Sequence, residues 1–320
     1  MTSEWISWLE DLTQADGGSV GRKCANLGEL TRAGFQVPPG FALCLETYEE
    51  FMRATGAGAE IQKYLALFEA DPDDPKQLAR FTEASRIVCE IVESKDMPRN
   101  ISDTLAGHYD GLCARTGIAD LPVATRSAGP ASHPGQYESF LNVTGSAAVA
   151  ENVIRVWSST FNARSLVARA RKGLPLDSDP IGVAVLAMVD ADAAGVMFTA
   201  EPTTADATRM IIEGCRGLGE IVVGGAVIPD NWTVDATEFT IVDRRIAPGA
   251  PGDGLSSEAG ESCSCLLDEE VLELARIGKR IEAHFGRPQD IEWAIDRGAP
   301  SDPVFILQTR PETFRISFRF

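Results

Sequence analysis

Apolar residues along the 320-residue chain follow two different periods, and the switch between them outlines the elements. From about Ala59 to Gly117, Ile87, Ile91, Leu105 and Leu112 sit among polar residues with no convincing strand, which predicts a helical insertion over 59–117. Strands are predicted at GFALC, LPVATRSAG, IGVAVLAMVD, AAGVMFTAEP, RMIIEGCRGLGEIVVGG, NWTVDA and FTIVDRR. Helices are predicted around Ala25, Leu27 and Leu30, from near Glu46, and over Glu269–Phe285. One long amphipathic helix is expected over Val149–Lys172, through Val153, Trp157, Phe161 and Val167. The opening MTSEWISWLEDL reads as acidic and helical, unlike a basic-then-apolar secretory leader. The class is α/β (α+β), and the Pro- and Asp-rich GLPLDSDP predicts a border between two lobes, 1–177 and 178–320.

The last two predicted strands carry an unusual pattern. QDIEWAID places Asp290 and Glu292 two residues apart in an otherwise apolar run, and VFILQTRPET places Gln308 and Arg310 the same way. Strand side chains alternate faces, so each pair shares a face, and two like charges in an apolar setting need positive compensation. A divalent metal is one candidate and an arginine another. Pairing the two strands would gather all four residues.

Composition narrows the partners. Acidic residues outnumber basic ones 47 to 29, a net charge of −18, which argues against a nucleic-acid or anionic-membrane surface. No apolar run reaches membrane-spanning length. The seven cysteines are scattered, and Cys263 and Cys265 lack CxxC spacing or nearby histidines, so reduced thiols in a cytoplasmic protein are expected. The segment PGDGLSS reads as a mobile surface loop.

Two further segments carry candidate chemistry. GGSVGRKCANLGEL offers glycines and Lys23 as a phosphate cradle, although Cys24 stands where a Walker motif needs Ser or Thr; an ordinary turn and helix cap is the alternative. Arg126 opens the small-residue run RSAGPASHPGQ and suits a bidentate phosphate contact or a surface salt bridge. His133 lies in the same run, as a phosphate contact, a proton shuttle or an exposed loop residue. His108 and His284 read as helix-surface or core residues. Glu213 and Glu220 flank GCRGLG; Glu220 fits a ribose hydroxyl, a metal or a helix start.

In family order, GRKCANLGEL, VPPGFAL, ATRSAGPASHPGQYESFLNV, AGVMFTAEP, GLGEIVVGG, IPD, FGRPQDIEWAID and ILQTRPET resemble the N-terminal ATP-binding region of phosphoenolpyruvate synthase and pyruvate phosphate dikinase. The resemblance covers nearly the whole chain. It implies an ATP-grasp-type, two-lobed fold with Mg-ATP between the lobes, Lys23 and Arg126 on the phosphates, and Glu220 near the nucleotide. It implies Asp290 and Glu292 at a magnesium ion, with Gln308 and Arg310 completing the phosphate site. Arg22 replaces the family's usual second glycine, Leu186 its usual Gln, and the loop after Arg126 has the shorter dikinase-like spacing.

None of the three histidines lies in the family's TSHAA-like phosphohistidine motif. The resemblance therefore implies a partner subunit or domain bearing that histidine, as in phenylphosphate synthase, with the small-molecule acceptor, pyruvate or a phenol, bound on the partner. A self-contained small-molecule phosphotransferase and a non-catalytic nucleotide-sensing module are the alternatives.

Overall fold

The computed structural model describes residues 5–129, 137–219, 228–248, 264–300 and 302–312. The chain forms two compact units, Met1–Glu29 with Pro39–Met188, and Leu30–Pro38 with Val189–Phe320. The border thus falls after Met188 rather than at GLPLDSDP. The reason is the strand Gly182–Ala187, which follows that passage and lies at the centre of the first unit's sheet. PGDGLSS lies outside the described residues.

The first unit holds an antiparallel sheet ordered β1-β2-β5-β3-β4, from Ile6–Trp8 (β1), Gly40–Leu43 (β2), Val123–Ala128 (β3), Ser139–Val143 (β4) and Gly182–Ala187 (β5). One face packs on helices Leu45–Ala54 (α2), Ala57–Leu65 (α3), Leu78–Glu93 (α4) and Arg99–Thr116 (α5), of which α3 to α5 fall where the helical insertion is expected. In α4 the buried stripe is Phe81, Ala84, Val88 and Val92, a 3.6-residue repeat, with Ile87 and Ile91 on its flank. His108 of α5 is half-buried between the rings of Trp8 and Phe41, at 5.1 and 5.5 Å.

Two local expectations change, and one strand is added. The opening segment forms β1 instead of a helix, because Ile6, Ser7 and Trp8 pair with Leu43, Ala42 and Phe41. The long helix is two, Ser146–Ser158 (α6) and Ala163–Arg171 (α7). Asn162 leaves the helical conformation and its side chain accepts the Ser165 N–H at 2.8 Å, starting α7 afresh. SFLNV forms β4, a strand that the sequence pattern does not announce.

The second unit is an antiparallel sheet ordered β11-β10-β6-β7-β8-β9: Ala193–Phe198 (β6), Arg209–Arg216 (β7), Asp230–Asp235 (β8), Thr240–Arg245 (β9), Gln289–Ile295 (β10) and Val304–Pro311 (β11). The helix Asp268–Phe285 (α8) buries Val271, Leu274, Ala275, Ile277, Gly278 and Ile281 in a core with Met197, Met210, Ile212, Trp232, Ile291 and Trp293. Three acidic residues open α8 and Gly286, at φ 69°, ends it. Leu30, from the end of the helix Arg22–Arg32 (α1), is buried in this core, and the Ile306 N–H donates to the Gln36 carbonyl at 2.8 Å. These contacts assign residues 30–38 to the second unit.

Among the described residues no helix is long and apolar enough to cross a membrane, and no disulfide forms.

Candidate functional site

Strands β10 and β11 pair as their sequences suggest. Asp290 stands opposite Arg310 and Glu292 opposite Gln308, and the register then shifts at a bulge so that Trp293 faces Ile306. Ile291, Trp293 and Ile295 are buried in the core, so Asp290 and Glu292 point to the other face of the sheet. The paired strands therefore bring Asp290, Glu292, Gln308 and Arg310 together.

The buried Asp290 is compensated by the arginine. Arg310 Nε donates to Asp290 Oδ2 at 2.7 Å, and its Nη2 donates to the same oxygen. Burial is the main influence on this carboxyl and raises its pKa; the Arg310 charge pulls it down and Glu292 pushes it up, and the net direction is upward. Asp290 is therefore more strongly desolvated than its one partner makes good.

Gln308 is 5% exposed, and its Oε1 has no hydrogen-bond partner. A buried orphan acceptor costs about 1–3 kcal/mol, which a donor or cation at this place would recover. Asp290 and Glu292 offer carboxylate oxygens and Gln308 an unpartnered amide oxygen, the ligand type that suits a hard cation such as magnesium. Among the described residues no group of three or more His, Cys, Asp and Glu side chains is placed to hold a metal. The set fits an ion that takes one or two carboxylates and completes its sphere with phosphates and water.

Lys23 and Arg126 lie in the first unit. Lys23 is in the first turn of α1 and is half-buried. That turn is tied to the end of β3, because the Arg22 N–H donates to the Gly129 carbonyl at 3.1 Å. Gly21 makes the approach possible: its φ is +83°, and a Cβ there would lie 2.0 Å from the Ala128 oxygen. This glycine thus serves close backbone packing as well as the turn. Arg126, half-buried, stands opposite Ala184 and Ser139, on the sheet face opposite the buried Val123, Val183 and Val185. Leu186 shares the face of Arg126, opposite Ala124.

Glu220 and His133 lie outside the described residues. Tyr137, just after His133, donates its hydroxyl to Asp179 Oδ2. Burial first, then that bond and the carboxylate charge, push the phenol well above its usual range. Sequence reasoning passed over Glu312, whose carboxylate oxygens are both buried without a hydrogen-bond partner one residue beyond β11. Its signal was the continuation of the QTRPET run past Arg310.

The family model described as "Pyruvate phosphate dikinase, AMP/ATP-binding domain" matches residues 17–317. A probable phosphoenolpyruvate synthase of Methanothermobacter thermautotrophicus is 38% identical over 97% of this chain and 46% of its own length. One from Archaeoglobus fulgidus is 36% identical over 96% of the chain and 41% of its own length. The phosphoenolpyruvate synthase of Pyrococcus furiosus is 33% identical over 98% and 44%. The chain therefore spans less than half the length of these relatives.

Proposed function

Since this chain belongs to the pyruvate phosphate dikinase AMP/ATP-binding domain family, with its ATP-grasp-like nucleotide-binding fold, we propose that it is the nucleotide-charging part of a phosphoenolpyruvate synthase- or dikinase-like phosphotransferase. It cleaves ATP to AMP and delivers the β-phosphoryl, as pyrophosphoryl, to a histidine of a partner subunit or domain. The observation that carries this reading is the opposed pairing of Asp290 with Arg310 and Glu292 with Gln308 on one sheet face.

In this reading Lys23, Arg126 and Arg310 hold the nucleotide's phosphates, Gln308 adds an amide contact, and Glu220 touches the nucleotide. Asp290 and Glu292 hold magnesium, which when bound offsets negative charge on the β- and γ-phosphoryl oxygens. A nitrogen of the partner histidine attacks the β-phosphorus, the bond from that phosphorus to the oxygen bridging to the α-phosphate breaks, and AMP leaves with the oxygen. Water then releases inorganic phosphate, and the remaining phosphoryl group passes to a small acceptor, pyruvate or a phenol. The protein contributes position and charge rather than a covalent intermediate of its own. In this reading the reaction is cytoplasmic, where ATP is supplied.

The test is label transfer from β-labelled ATP with magnesium, with and without extract from the source organism. An acid-labile, base-stable label on a second polypeptide, accompanied by AMP, is expected. Label on a small molecule alone would replace this reading with a direct phosphotransferase. ATP binding with no transfer at all would replace it with a nucleotide-sensing module.

A further inference from the structure

The second unit's sheet carries a continuous transverse row. Gln308 is opposite Glu292, Glu292 opposite Val196, Val196 opposite Glu213, and Glu213 opposite Asn231. Directly opposed residues point to the same face, so Glu213 faces the same side as Glu292 and Gln308. Two strand spacings separate Glu213 from Glu292, about 10 Å. In the neighbouring row Arg310, Asp290, Phe198, Ile211 and Thr233 are likewise opposed in turn. Val196, Phe198 and Ile211 are only half-buried, an apolar strip with Asp290, Glu292, Gln308 and Arg310 on one side and Glu213 with Asn231 on the other.

Glu213 is held in place by Asn231, whose Nδ2 donates to Glu213 Oε1 at 3.0 Å. A carboxylate accepts through both oxygens, so one bond from Asn231 orients the group and leaves the second oxygen's acceptor capacity. No carboxylate stands directly opposite Glu213: its neighbours in the row are Val196 and Asn231. Arg245, opposite Asn231 on β9, is paired with Asp243 at 3.2 Å. A lone carboxylate repels phosphate and is a meagre cation site, but it suits a neutral ligand that offers hydroxyl donors.

We propose that Glu213, oriented by Asn231, accepts the ribose hydroxyls of the bound adenine nucleotide, with Val196, Phe198 and Ile211 as the apolar floor beneath the nucleoside. The inference rests on the nucleotide reading above and adds to it the end of the ligand that phosphate contacts leave unread. The strip is polar at both ends and apolar between, like the ligand it would seat: an anionic chain at one end and a diol at the other. Charge-assisted hydrogen bonds of this kind correspond to roughly tenfold or more in affinity.

The experiment measures binding of ATP, 2′-deoxy-ATP and 3′-deoxy-ATP, with magnesium, to the full chain as wild type, Glu213→Ala and Glu213→Gln. The wild type is expected to prefer ATP over at least one deoxy analogue by roughly tenfold. Glu213→Ala should bind all three alike, near the wild-type affinity for the poorer analogue, and Glu213→Gln, which keeps the shape, should show a reduced preference. If Glu213→Ala fails to fold, the Glu213→Gln preference decides. An undiminished preference in the folded variants, or none in the wild type, overturns the assignment while leaving triphosphate binding intact. Absence of any ATP binding by the wild type would overturn the nucleotide reading itself, and this inference with it.

Discussion

Gln308 stands directly opposite Glu292 across the β10–β11 ladder, at the last pair before the bulge. On the far side of the bulge Ile306 and Trp293 face the core, so the irregularity lets one strand serve the core and then the open face. Glu292 is half-exposed there, whereas Gln308 is buried with an orphan acceptor.

Glu292 therefore belongs to the open face and not to the core. Under the proposed function, and with the histidine-bearing partner present, Glu292→Ala is expected to leave the urea midpoint nearly unchanged while magnesium-dependent AMP release falls by about 10²-fold or more. Steady-state AMP formation across a magnesium titration, beside an unfolding curve, checks both halves. Unchanged turnover would remove Glu292 from the mechanism.

Asp290 and Arg310 behave differently, because their pairing supports the fold. Arg310→Ala strands a buried carboxylate and should cost about 3 kcal/mol, while the double variant Arg310→Ala with Asp290→Asn should recover most of that loss. Urea unfolding of the two single variants and the double gives the coupling directly. Additive losses would mean that the ion pair is not what holds Asp290 in place.

How much of this was legible in the sequence depends on the kind of feature. Asp290, Glu292, Gln308 and Arg310 were readable because period-two spacing within each strand survives folding, and antiparallel pairing needs only a short connection. The bulge was not, since nothing at Leu307 distinguishes it from its apolar neighbours. The break at Asn162 was missed because the apolar spacing of Val153, Trp157 and Phe161 continues across it, and a single N-cap outweighed the periodicity. The border was misplaced because GLPLDSDP is linker-like in composition, whereas strand order, a long-range property, decides to which unit β5 belongs. Glu213 entered the reading only as a flank of GCRGLG; its place in the Glu292 row needs the register of two further strands.

Gly21 is constrained both by its positive φ and by the Ala128 carbonyl. Gly21→Ala should destabilise the first unit by about 3 kcal/mol and displace the first turn of α1 from the end of β3. Nucleotide affinity measured under conditions where the variant remains folded should fall as well, since Lys23 sits in that turn. A variant with wild-type stability would show that the chain does not pass this close to Ala128.

Asp230, buried at 7% exposure, accepts the Ala247 N–H through Oδ1 and the Cys265 N–H through Oδ2, each at 2.8 Å. It thereby ties together the segments on either side of residues 249–263. Asp230→Ala removes the acceptor of the buried Cys265 amide and one bond to the half-buried Ala247 amide, and should cost about 2–3 kcal/mol in urea unfolding. The same change should speed alkylation of Cys265, whose thiol is held above its usual pKa by burial first and by the Asp230 charge second. Unaltered stability and thiol reactivity would rule out this anchoring role.

Glu312 gives the sequence a pH dependence that its composition does not suggest. Burial pushes its carboxyl up to about 7 from an ordinary 4.5; the Ala200 backbone amide lies near enough to offset part of the rise without making a well-formed hydrogen bond, while the Asp290 and Glu282 carboxylates add to it. The folded chain therefore binds a proton more readily here than the unfolded one. The stabilisation from this proton is complete below pH ~4.5 and is lost as pH rises through about 7. Glu312→Gln, which removes the titration but keeps the shape, should raise the thermal midpoint at pH 8 and flatten the decline in stability between pH ~5 and ~7.5. Thermal midpoints of wild type and variant across that range make the comparison, and parallel curves would show that Glu312 titrates as an ordinary exposed carboxylate.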